Sequence, residues 1–414
     1  MLVYVISKDG QPLMPTARCG KVRRLLKNNK ATVARRCPFT IKLLYDTGDV
    51  TQEVTLGVDA GSKTIGISAT TEKKVLYEAE VQLRDDISKL LAERRELRTA
   101  RRSRKTRHRA PRFDNRKKPE GWLAPSVRHK VDTHLKAVKD VCAMLPVSKI
   151  IVETAAFDLQ KVKDPGISGT GYQQGDQLGF WNVREYVLWR DGHICQCCKG
   201  KSKDPVLNVH HIESRLTGGD APDNLVTLCE YCHRQYHQGK LKLPAKIRRG
   251  KSLRHETCMG IMRWAFHGEL KELYPGKISM TYGYITKNTR IRNGLPKEHC
   301  VDARCISGHP EAEPLGYVYL QRKVRCHNRQ IHKLTVQKGG IRSNNKAPYL
   351  VKGFRLYDAV MAKGRPWYIH GRRLKGAFLL KDLTGNVLEI VPGKIKLLYR
   401  QKGFIGSQLN ALLS

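Results

Sequence analysis

The sequence predicts an α/β protein in which a small zinc-stapled module is inserted into a larger domain built on a β-sheet. Two Cys-X-X-Cys pairs near the middle of the chain enclose a segment that contains two adjacent histidines. Carboxylates end two apolar strands before this module, and a histidine–aspartate pair on one helical face follows it. A dense run of basic residues lies between the two strands. The chain is therefore expected to contain a split outer domain, an inserted module and a basic helix.

Composition indicates a nucleic-acid partner. The 414 residues include 77 Lys and Arg against 37 Asp and Glu, a formal net charge of +40, which is self-repulsive without a polyanion. A chain of this length can hold two or three domains with real cores. A membrane surface is the other candidate partner, but no run of about eighteen apolar residues and no signal-peptide pattern occurs. The twelve cysteines are mostly scattered, which favours a reducing, cytoplasmic setting over a disulfide framework.

The two cysteine pairs have the spacing of a structural zinc site. Cys195, Cys198, Cys229 and Cys232 supply four thiolates, the donor set of a closed tetrahedral Zn²⁺ site. Cys197 lies inside the first pair and is an alternative ligand, although the outer two residues keep the better spacing. We expect one structural Zn²⁺ that holds a small fold around a separate reactive centre.

The residues between and after the pairs resemble an HNH nuclease module. His211, Asn224 and His233 reproduce the His-Asn-His pattern at the spacing of that family. A zinc ribbon that only scaffolds or binds is the alternative interpretation. Such a ribbon would have no reason to carry the adjacent His210 and His211, or a histidine directly after the second cysteine pair.

The HNH resemblance implies a role for each polar residue. His211 is the expected general base that activates water, and Asn224 is expected to orient the loop that presents it. His210 and His233 are the expected ligands of one Mg²⁺, with His237 as a third ligand. The family often has Asp at the position of His210, so this ligand set departs from the common pattern.

Three predicted strands open the larger domain. Residues 54–59, 64–68 and 75–83 form an apolar meander, and the first strand ends at Asp59. This meander resembles the opening of an RNase H-like (RuvC) nuclease. Actin-like ATPases begin similarly, and a plain hairpin with an aspartate near its turn is a further alternative.

Two later segments complete a candidate metal site with Asp59. Residues 149–153 form a buried-type strand that ends in Glu153, and a predicted helix carries His299 and Asp302 three residues apart on one face. These residues can bind two Mg²⁺ ions, which stabilise the attacking and leaving oxygens in phosphodiester hydrolysis. His299 is either a ligand or a proton shuttle. A strand-end carboxylate and a helix-surface histidine are the structural alternatives.

A predicted helix over 85–118 is intensely basic. Thirteen of the twenty-five residues from Arg94 to Lys118 are Lys or Arg. Asp85 and Asp86 suit the positive end of the helix dipole, and Pro111 suits its end. A disordered basic tail is the alternative, but this run lies in mid-chain between nuclease-type strands. Neutralisation by phosphates would stabilise such a helix.

Short strands are also predicted in the C-terminal part of the chain. Turns separate them, and together they indicate a small β-barrel over residues 354–363, 367–373, 376–383, 387–391 and 394–400. Arg372, Arg373, Lys375 and Lys381 are candidate DNA contacts, with solvated surface charge as the alternative for each of them.

The order of these segments is similar to that of the IscB family, the transposon-encoded RNA-guided endonucleases held to be ancestral to type II CRISPR effectors. Residues 12–15 match the family's PLMP motif, residues 112–123 match a second family stretch, and the likeness covers essentially the whole chain. The resemblance implies a PLMP N-terminal domain (1–53), RuvC-I (54–84), an arginine-rich bridge helix (85–118), RuvC-II (119–163), an HNH insertion with linkers (164–254), RuvC-III (255–312) and a C-terminal domain that contacts the target-flanking motif (313–414).

The resemblance also implies the partners. They are a structured guide RNA (omega RNA) and double-stranded target DNA, bound by a monomeric ribonucleoprotein in the prokaryotic cytoplasm, in association with the nucleoid. Only about thirty residues separate the bridge helix from Glu153, which is too few for a protein lobe that surrounds the guide–target duplex. A large structured RNA is therefore expected to enclose much of this duplex. The expected RNA contacts are Arg94, Arg95, Arg98, Arg101, Arg102, Arg104, Arg107 and Arg109.

The expected function is therefore RNA-guided DNA cleavage. The HNH module is expected to cut the guide-paired strand and RuvC the displaced strand, both by metal-dependent phosphodiester hydrolysis. A guide-independent nuclease of structure-specific or homing type is the alternative. A catalytically silent nucleic-acid-binding protein fits less well, because both sites are complete in the sequence.

Overall fold

A computed structural model describes residues 1–48, 50–102, 121–154, 183–214, 222–244, 254–325, 348–373 and 376–410. Its strands are β1 (Val3–Ile6), β2 (Pro12–Thr16), β3 (Ala31–Arg36), β4 (Phe39–Leu43), β5 (Thr55–Asp59), β6 (Thr64–Thr70), β7 (Val75–Gln82), β8 (Lys149–Glu153), β9 (Leu207–His211), β10 (Leu225–Cys229), β11 (Ile278–Thr281), β12 (Tyr317–Lys323), β13 (Ala359–Ala362), β14 (Arg365–Gly371), β15 (Phe378–Lys381), β16 (Val387–Ile390), β17 (Lys396–Tyr399) and β18 (Phe404–Asn410). Its α-helices are α1 (Cys19–Lys27), α2 (Ile87–Arg102), α3 (Pro125–Cys142), α4 (Val183–Arg190), α5 (Glu230–His237), α6 (Arg254–Leu273), α7 (Gly283–Arg292) and α8 (His299–Ile306).

The chain divides into two compact units. One unit comprises Met1–Thr154 and Met262–Ser414, and the other comprises Ala155–Ile261. The second unit contains the predicted inserted module, so the first is formed by chain segments on both sides of it. No helix in the described ranges is both long enough and apolar enough to cross a membrane.

The first unit is centred on a seven-stranded mixed sheet with the order β11-β8-β5-β6-β7-β12-β18. Strands β5, β6 and β7 pair antiparallel, as the predicted meander requires. Strand β8 runs parallel to β5, with Val58 opposite Val152. Because Asp59 and Glu153 are the next residues of these strands, both carboxylates lie at the same edge of the sheet.

Helix α8 packs closely against β5 and β6, and two glycines allow this approach. A Cβ atom on Gly66 would collide with the carbonyl oxygen of His299, and one on Gly57 would collide with that of Ala303. Only glycine fits at these two positions, since the atoms it faces belong to the helix backbone. The glycines therefore determine how near His299 lies to the end of β5.

The N-terminal residues form a separate four-stranded sheet with the order β2-β1-β4-β3. The PLMP residues lie in β2. Val22 of α1 packs into the core of this sheet. The Tyr4 hydroxyl donates a hydrogen bond to the Leu76 carbonyl of β7, 2.9 Å away, which ties this sheet to the larger one.

The C-terminal strands form an open sheet rather than the predicted closed barrel. Its order is β16-β15-β14-β13-β17, so that β16 and β17 are its two edges within the described residues. Trp367 and Phe378 are almost fully buried in its core. Strands β12 and β18 instead belong to the seven-stranded sheet, where they pair antiparallel with each other.

The basic helix α2 is described as far as Arg102. The side chains of Arg94, Arg95 and Arg98 are exposed on it. The predicted continuation to residue 118, with Arg104, Arg107 and Arg109, lies outside the described residues, as do the side chains of Arg101 and Arg102 and the candidate DNA contact Lys375.

The second unit contains a hairpin followed by a helix. Strands β9 and β10 pair antiparallel, and α5 begins directly after β10. Helix α4 packs against β10 through the buried side chains of Tyr186 and Val187. Val226 and Leu228 form a small core together with buried cysteines.

Candidate functional site

Four cysteine sulfurs meet beside the β9–β10 hairpin. The Sγ atoms of Cys195, Cys198, Cys229 and Cys232 lie within 4.8 Å of one another. The first two cysteines lie in the turn after α4, the third ends β10, and the fourth lies in the first turn of α5. Cys197 lies outside this set. The arrangement is the donor set of a closed zinc site.

Hydrogen bonds hold the first cysteine pair against the hairpin. The Asp191 carboxylate is fully buried and accepts the backbone N–H of Thr227 at 2.9 Å. The N–H of Gln196 in turn donates to the Thr227 carbonyl at 2.9 Å. Asp191 was not identified from the sequence, because a single acid after a short helix has no distinguishing pattern. It anchors the turn that presents Cys195 and Cys198.

The thiols differ in how readily they ionise. Burial alone would raise the pKa of the Cys198 thiol, but hydrogen bonds from Ser202 and Gly200 outweigh it and lower the pKa to about 6. Ser202 Oγ lies 3.3 Å from Cys198 Sγ and 3.1 Å from Cys229 Sγ. Burial raises the pKa of the Cys195 and Cys232 thiols. The hydrogen bonds from Ser202 and Gly200 therefore favour the thiolate form of Cys198.

Three histidines form a second cluster in the same unit. Ring nitrogens of His210, His233 and His237 lie within 4.8 Å of one another, and the two Nε2 atoms on α5 are 3.2 Å apart. His233 and His237 are four residues apart on α5, so they share one helix face. His210 faces them from β9. The structure therefore brings together the three histidines predicted as metal ligands.

The His210 imidazole is suited to bind a cation in its neutral form. Burial, together with the charges of the neighbouring histidines, lowers the pKa of His210 to about 4. Its Nε2 atom is buried and has no hydrogen-bond partner among the described residues. Burial also lowers the pKa of His233. An unprotonated ring nitrogen without a protein partner is what a metal ligand requires.

His211 lies outside this cluster, and Asn224 lies beside the loop that follows it. The set of three clustered histidines does not include His211, which follows His210 at the end of β9. The Asn224 side chain accepts the N–H of Glu213 at 2.8 Å and donates to the Glu213 carbonyl at 3.0 Å. Its own carbonyl accepts the N–H of Ile212 at 2.7 Å. Asn224 thus holds the two residues after His211 and is placed for the predicted orienting role.

A second polar centre lies where β5, β8 and α8 meet. His299 Nδ1 is 2.6 Å from Asp59 Oδ2. The backbone N–H of His299 donates to Glu80 Oε1 at 3.1 Å, which places a carboxylate at the N-terminal end of α8. Glu80 was not identified from the sequence, because it lies within a strand of mixed residues. Asp302 follows one turn later on α8.

Two arginines, which were not predicted from the sequence, form ion pairs with Glu153 and Asp302. Arg263 Nη2 lies 3.3 Å from Glu153 Oε1; Arg263 is buried and the Glu153 side chain is only 12% exposed. Arg263 Nε also donates to the carbonyl of Ala60, directly after Asp59, at 3.1 Å. Arg290 Nε lies 2.9 Å from Asp302 Oδ1. Glu153 and Asp302 therefore each contact an arginine, whereas Asp59 contacts the imidazole of His299.

The carboxylates nevertheless influence one another electrostatically. Burial, and then the charge of Asp59, raises the pKa of Glu153, although Arg263 opposes the shift. Burial and Asp59 likewise raise the pKa of Asp302. The hydrogen bond to Asp59 raises the pKa of His299. Within the described residues, however, only the cysteines and the three histidines form sets with ligand atoms within 4.8 Å of one another.

Two family matches cover the cysteine and histidine clusters and the Asp59 and Glu153 part of the second centre. Residues 3–175 match the family described as RRXRR protein, and residues 195–239 match the HNH endonuclease family. The second match spans all four clustered cysteines, the three clustered histidines, His211 and Asn224.

The chain carries an HNH endonuclease domain. With the RRXRR match, this domain confirms the predicted resemblance: the chain is IscB-like in its domain content. The HNH match also identifies this unit as the part that carries metal-dependent nuclease chemistry.

Comparison with individual proteins adds one partial relative. A segment of 66 residues is 38% identical to the type IV methyl-directed restriction enzyme EcoKMcrA of Escherichia coli (strain K12), and covers 14% of this chain and 24% of that enzyme. The chain therefore spans about a quarter of the length of that curated relative.

Two solved structures are also similar. They are crystal structures of Streptococcus thermophilus Cas9 in complex with the AGAA PAM and the GGAA PAM, each with 13% identity and a TM-score of 0.29. The matches cover 60% and 52% of this chain, and 32% and 30% of the Cas9 chains. No conclusion about fold or function follows from similarity at this level.

Loss of one clustered cysteine is expected to unfold the HNH domain. A structural zinc site contributes roughly 10–16 kcal/mol of apparent binding free energy, which becomes folding free energy. Cys229→Ser should therefore abolish zinc binding and expose residues 183–240 to protease. Metal analysis and limited proteolysis measure both effects. The matched control is Cys197→Ser, which changes a cysteine outside the set of four and should keep one zinc per chain. Zinc-free protein with a protected HNH domain would contradict the assignment.

Loss of Arg263 is expected to destabilise the first unit. Arg263→Gln leaves the buried Glu153 charge uncompensated, which costs about 3–5 kcal/mol for a buried pair that loses one partner. Urea denaturation in the presence of a chelator measures this loss. The control is Lys74→Gln, which breaks a single exposed pair with Glu313 and should cost at most about 1 kcal/mol. Equal losses in the two variants would show that Arg263 does not hold Glu153 in the way the contacts indicate.

Proposed function

We propose that this chain is an RNA-guided DNA endonuclease with two hydrolytic centres. The observation that carries the proposal is the presence, in one chain, of two chemically different centres. One is the histidine cluster of the HNH domain, and the other is the group of three carboxylates and a histidine where β5, β8 and α8 meet. Two centres in one chain allow a monomer to cut both strands of a duplex at one locus.

In the HNH domain, His211 is the proposed general base. It takes a proton from the attacking water, and Asn224 keeps its loop in position through the two hydrogen bonds to Glu213. A bound divalent ion would supply Lewis-acid stabilisation of the scissile phosphate. His210, His233 and His237 would hold that ion.

The donor set of the HNH centre bears on the identity of its ion. Three imidazole nitrogens suit a divalent transition metal, whereas Mg²⁺ prefers oxygen ligands. The single Mg²⁺ expected from the sequence is therefore replaced in our proposal by an imidazole-binding divalent ion. This follows from His210, which stands where the family often has Asp.

In the first unit, the proposed centre is of RuvC type. The antiparallel meander, with β8 parallel to its first strand, supports an RNase H-like assignment. Asp59, Glu153 and Asp302 are oxygen ligands that fit Mg²⁺, and two ions would stabilise the attacking and leaving oxygens. His299 holds or transfers a proton next to Asp59. Ligation requires that Glu153 and Asp302 exchange their arginine contacts for metal contacts.

The RNA partner is proposed from charge and from the IscB resemblance. Arg94, Arg95 and Arg98 are exposed on α2, and the net charge of +40 favours binding to phosphates. We propose an omega-type guide RNA, a duplex DNA target and a monomeric ribonucleoprotein in a prokaryotic cytoplasm. The domain boundaries given from the family resemblance are part of this proposal.

A guide-independent nuclease is the second candidate. The observation that favours it is that one segment of this chain is 38% identical in sequence to a protein named as a restriction enzyme. In that case the chain itself would select the DNA site, and the basic helix would contact DNA.

Sequencing of copurified RNA tests the proposal. The purified chain should carry one predominant noncoding RNA whose sequence maps beside its own gene, with a variable segment at one end. A chain that carries only random cellular RNA, or none, would favour the guide-independent candidate.

A further inference from the structure

A cavity of about 330 Å³ lies in the first unit, and none of the proposed catalytic or metal-binding residues lines it. Its walls come from the end of β3, from α3, from β12 and from the turn between β17 and β18. Small-molecule sites in proteins start at about 300 Å³, so the cavity can take one nucleotide-sized group. Nothing in the two proposed centres uses it.

The charge of this cavity is positive. Arg35, Arg36, Arg400 and Lys402 line it, against the single carboxylate of Asp140. That carboxylate is already compensated, because Lys136 Nζ lies 3.0 Å from it and Arg35 Nη2 lies 3.5 Å from it. The cavity therefore presents a net positive charge to a ligand.

Three of the lining cations are available to a ligand. Arg36, Arg400 and Lys402 are exposed, and the described residues offer them no ion-pair partner. Arg400 makes a 3.4 Å hydrogen bond to the Gly353 carbonyl, which leaves most of its donors for other groups. Guanidinium and ammonium groups placed in this way favour a phosphate.

Aromatic side chains form part of the walls. Phe404 and Tyr399 both line the cavity, and each is half-buried. The ammonium groups of Lys136 and Lys323 lie 5.3 Å and 5.0 Å from the centre of the Phe404 ring. Val33 and Cys37 add further apolar surface. The cavity thus combines flat apolar contact with cations at its edge.

We propose that this cavity binds one unpaired nucleotide of a nucleic acid, with the base against the aromatic wall and the phosphate at Arg400 and Lys402. A base with its phosphate needs this combination of ring contact and positive charge. An acidic peptide would use the cations but would gain little from the aromatic wall. The inference depends on the proposed function in one respect, which is that the partner is a nucleic acid. It adds a nucleotide-binding site that is formed by residues outside the two hydrolytic centres.

Photocrosslinking tests this site directly. A catalytically inactive chain, with Asp59→Ala and His211→Ala, is mixed with a short single-stranded RNA that contains thiouridine, or with the matching DNA that contains thiothymidine. After irradiation, mass spectrometry should identify crosslinks to Tyr399 or Phe404. A crosslink with RNA assigns the site to the guide, and a crosslink with DNA alone assigns it to the displaced strand. Either result supports the site.

Variants separate specific binding from general charge. Phe404→Leu keeps an apolar side chain but removes the ring, and should lower the crosslink yield by about tenfold, the usual cost of losing one stacking partner. Arg400→Gln with Lys402→Gln should lower it similarly. The matched control is Lys27→Gln with Lys30→Gln, which removes the same charge. Lys30 precedes β3, about 20 Å from Arg36 by the strand rise and beyond the screening length of about 8 Å.

Four outcomes would overturn the proposal. Crosslinks of a bound probe that map only outside the cavity would do so, as would equal losses in the charge variant and its control. A polyglutamate peptide is added as a competitor. If it lowers the crosslink yield as much as an unlabelled nucleic acid does, the cavity binds acidic chains in general. If the chain binds neither the RNA nor the DNA probe in a filter assay, nucleic acid is excluded as its partner, and the proposed function is wrong as well. The filter assay therefore distinguishes the failure of the function from the failure of this site.

Discussion

His211→Ala is expected to abolish cleavage of the guide-paired strand and to leave the displaced strand cut at the unaltered rate. A general base contributes about 10²–10⁴-fold to the rate. The histidine cluster should survive the substitution, because its three members are His210, His233 and His237. A duplex labelled differently on its two strands and resolved on a denaturing gel measures both rates.

The control for this prediction is another histidine of the same unit. His193 is exposed and has a positive φ of 54°, a conformation that Asn tolerates well. His193→Asn should therefore leave both strands cut normally. If His211→Ala stopped cleavage of both strands in a folded chain, the assignment of one strand to each centre would be wrong.

Asp59→Ala is expected to produce the opposite strand pattern. The displaced strand should no longer be cut, while the guide-paired strand is still cut at the unaltered rate. Asp59 contacts His299 and interacts electrostatically with Glu153 and Asp302, so it is the residue common to the whole centre. Loss of a metal-binding carboxylate removes several kcal/mol of transition-state stabilisation, about 10³-fold in rate.

Two further measurements separate this chemistry from folding. Asp59→Asn has nearly the same shape but lacks the charge, and it should lose activity to the same extent as Asp59→Ala. The metal-free Asp59→Asn variant should unfold near the temperature of the parent chain, because loss of the charged contact with His299 is offset by relief of the repulsion that raises the pKa of Glu153 and Asp302. An active Asp59→Asn variant would show that the charge of this residue is not used.

The HNH centre was the easiest part to predict, because its information is local. The cysteine pairs and the histidines lie within 43 residues, from Cys195 to His237, and their spacing alone selects a hairpin and a helix. The meander and the strand that ends at Glu153 were predicted from apolar runs. Their pairing, with Asp59 beside Glu153, follows once β8 is placed parallel to β5.

The partners of the carboxylates could not be predicted in the same way. Arg263 and Arg290 are two of 77 basic residues, and no spacing marks the ones that turn inward. Their contacts with Glu153 and Asp302 depend on how α6 and α7 pack on the sheet, which is tertiary information. Glu80 was missed for the same reason.

The C-terminal sheet shows another limit of local patterns. The predicted turns located β13 to β17 closely, but short antiparallel strands are equally compatible with an open sheet and a closed barrel. Strand β18 was missed because Gly406, Ser407 and Gln408 interrupt its apolar pattern. It is stabilised by pairing along its whole length with β12, a contact between distant segments.

The central claim is that RNA, and not the protein, selects the DNA site. The most direct measurement is cleavage of a defined duplex by the chain after all RNA has been removed, with its zinc retained. The account predicts no sequence-specific cutting by the RNA-free chain. It also predicts recovery of both cuts when the copurified RNA is returned, and a shift to a new site when the variable segment of that RNA is changed. Sequence-specific cleavage by the RNA-free chain would contradict the account.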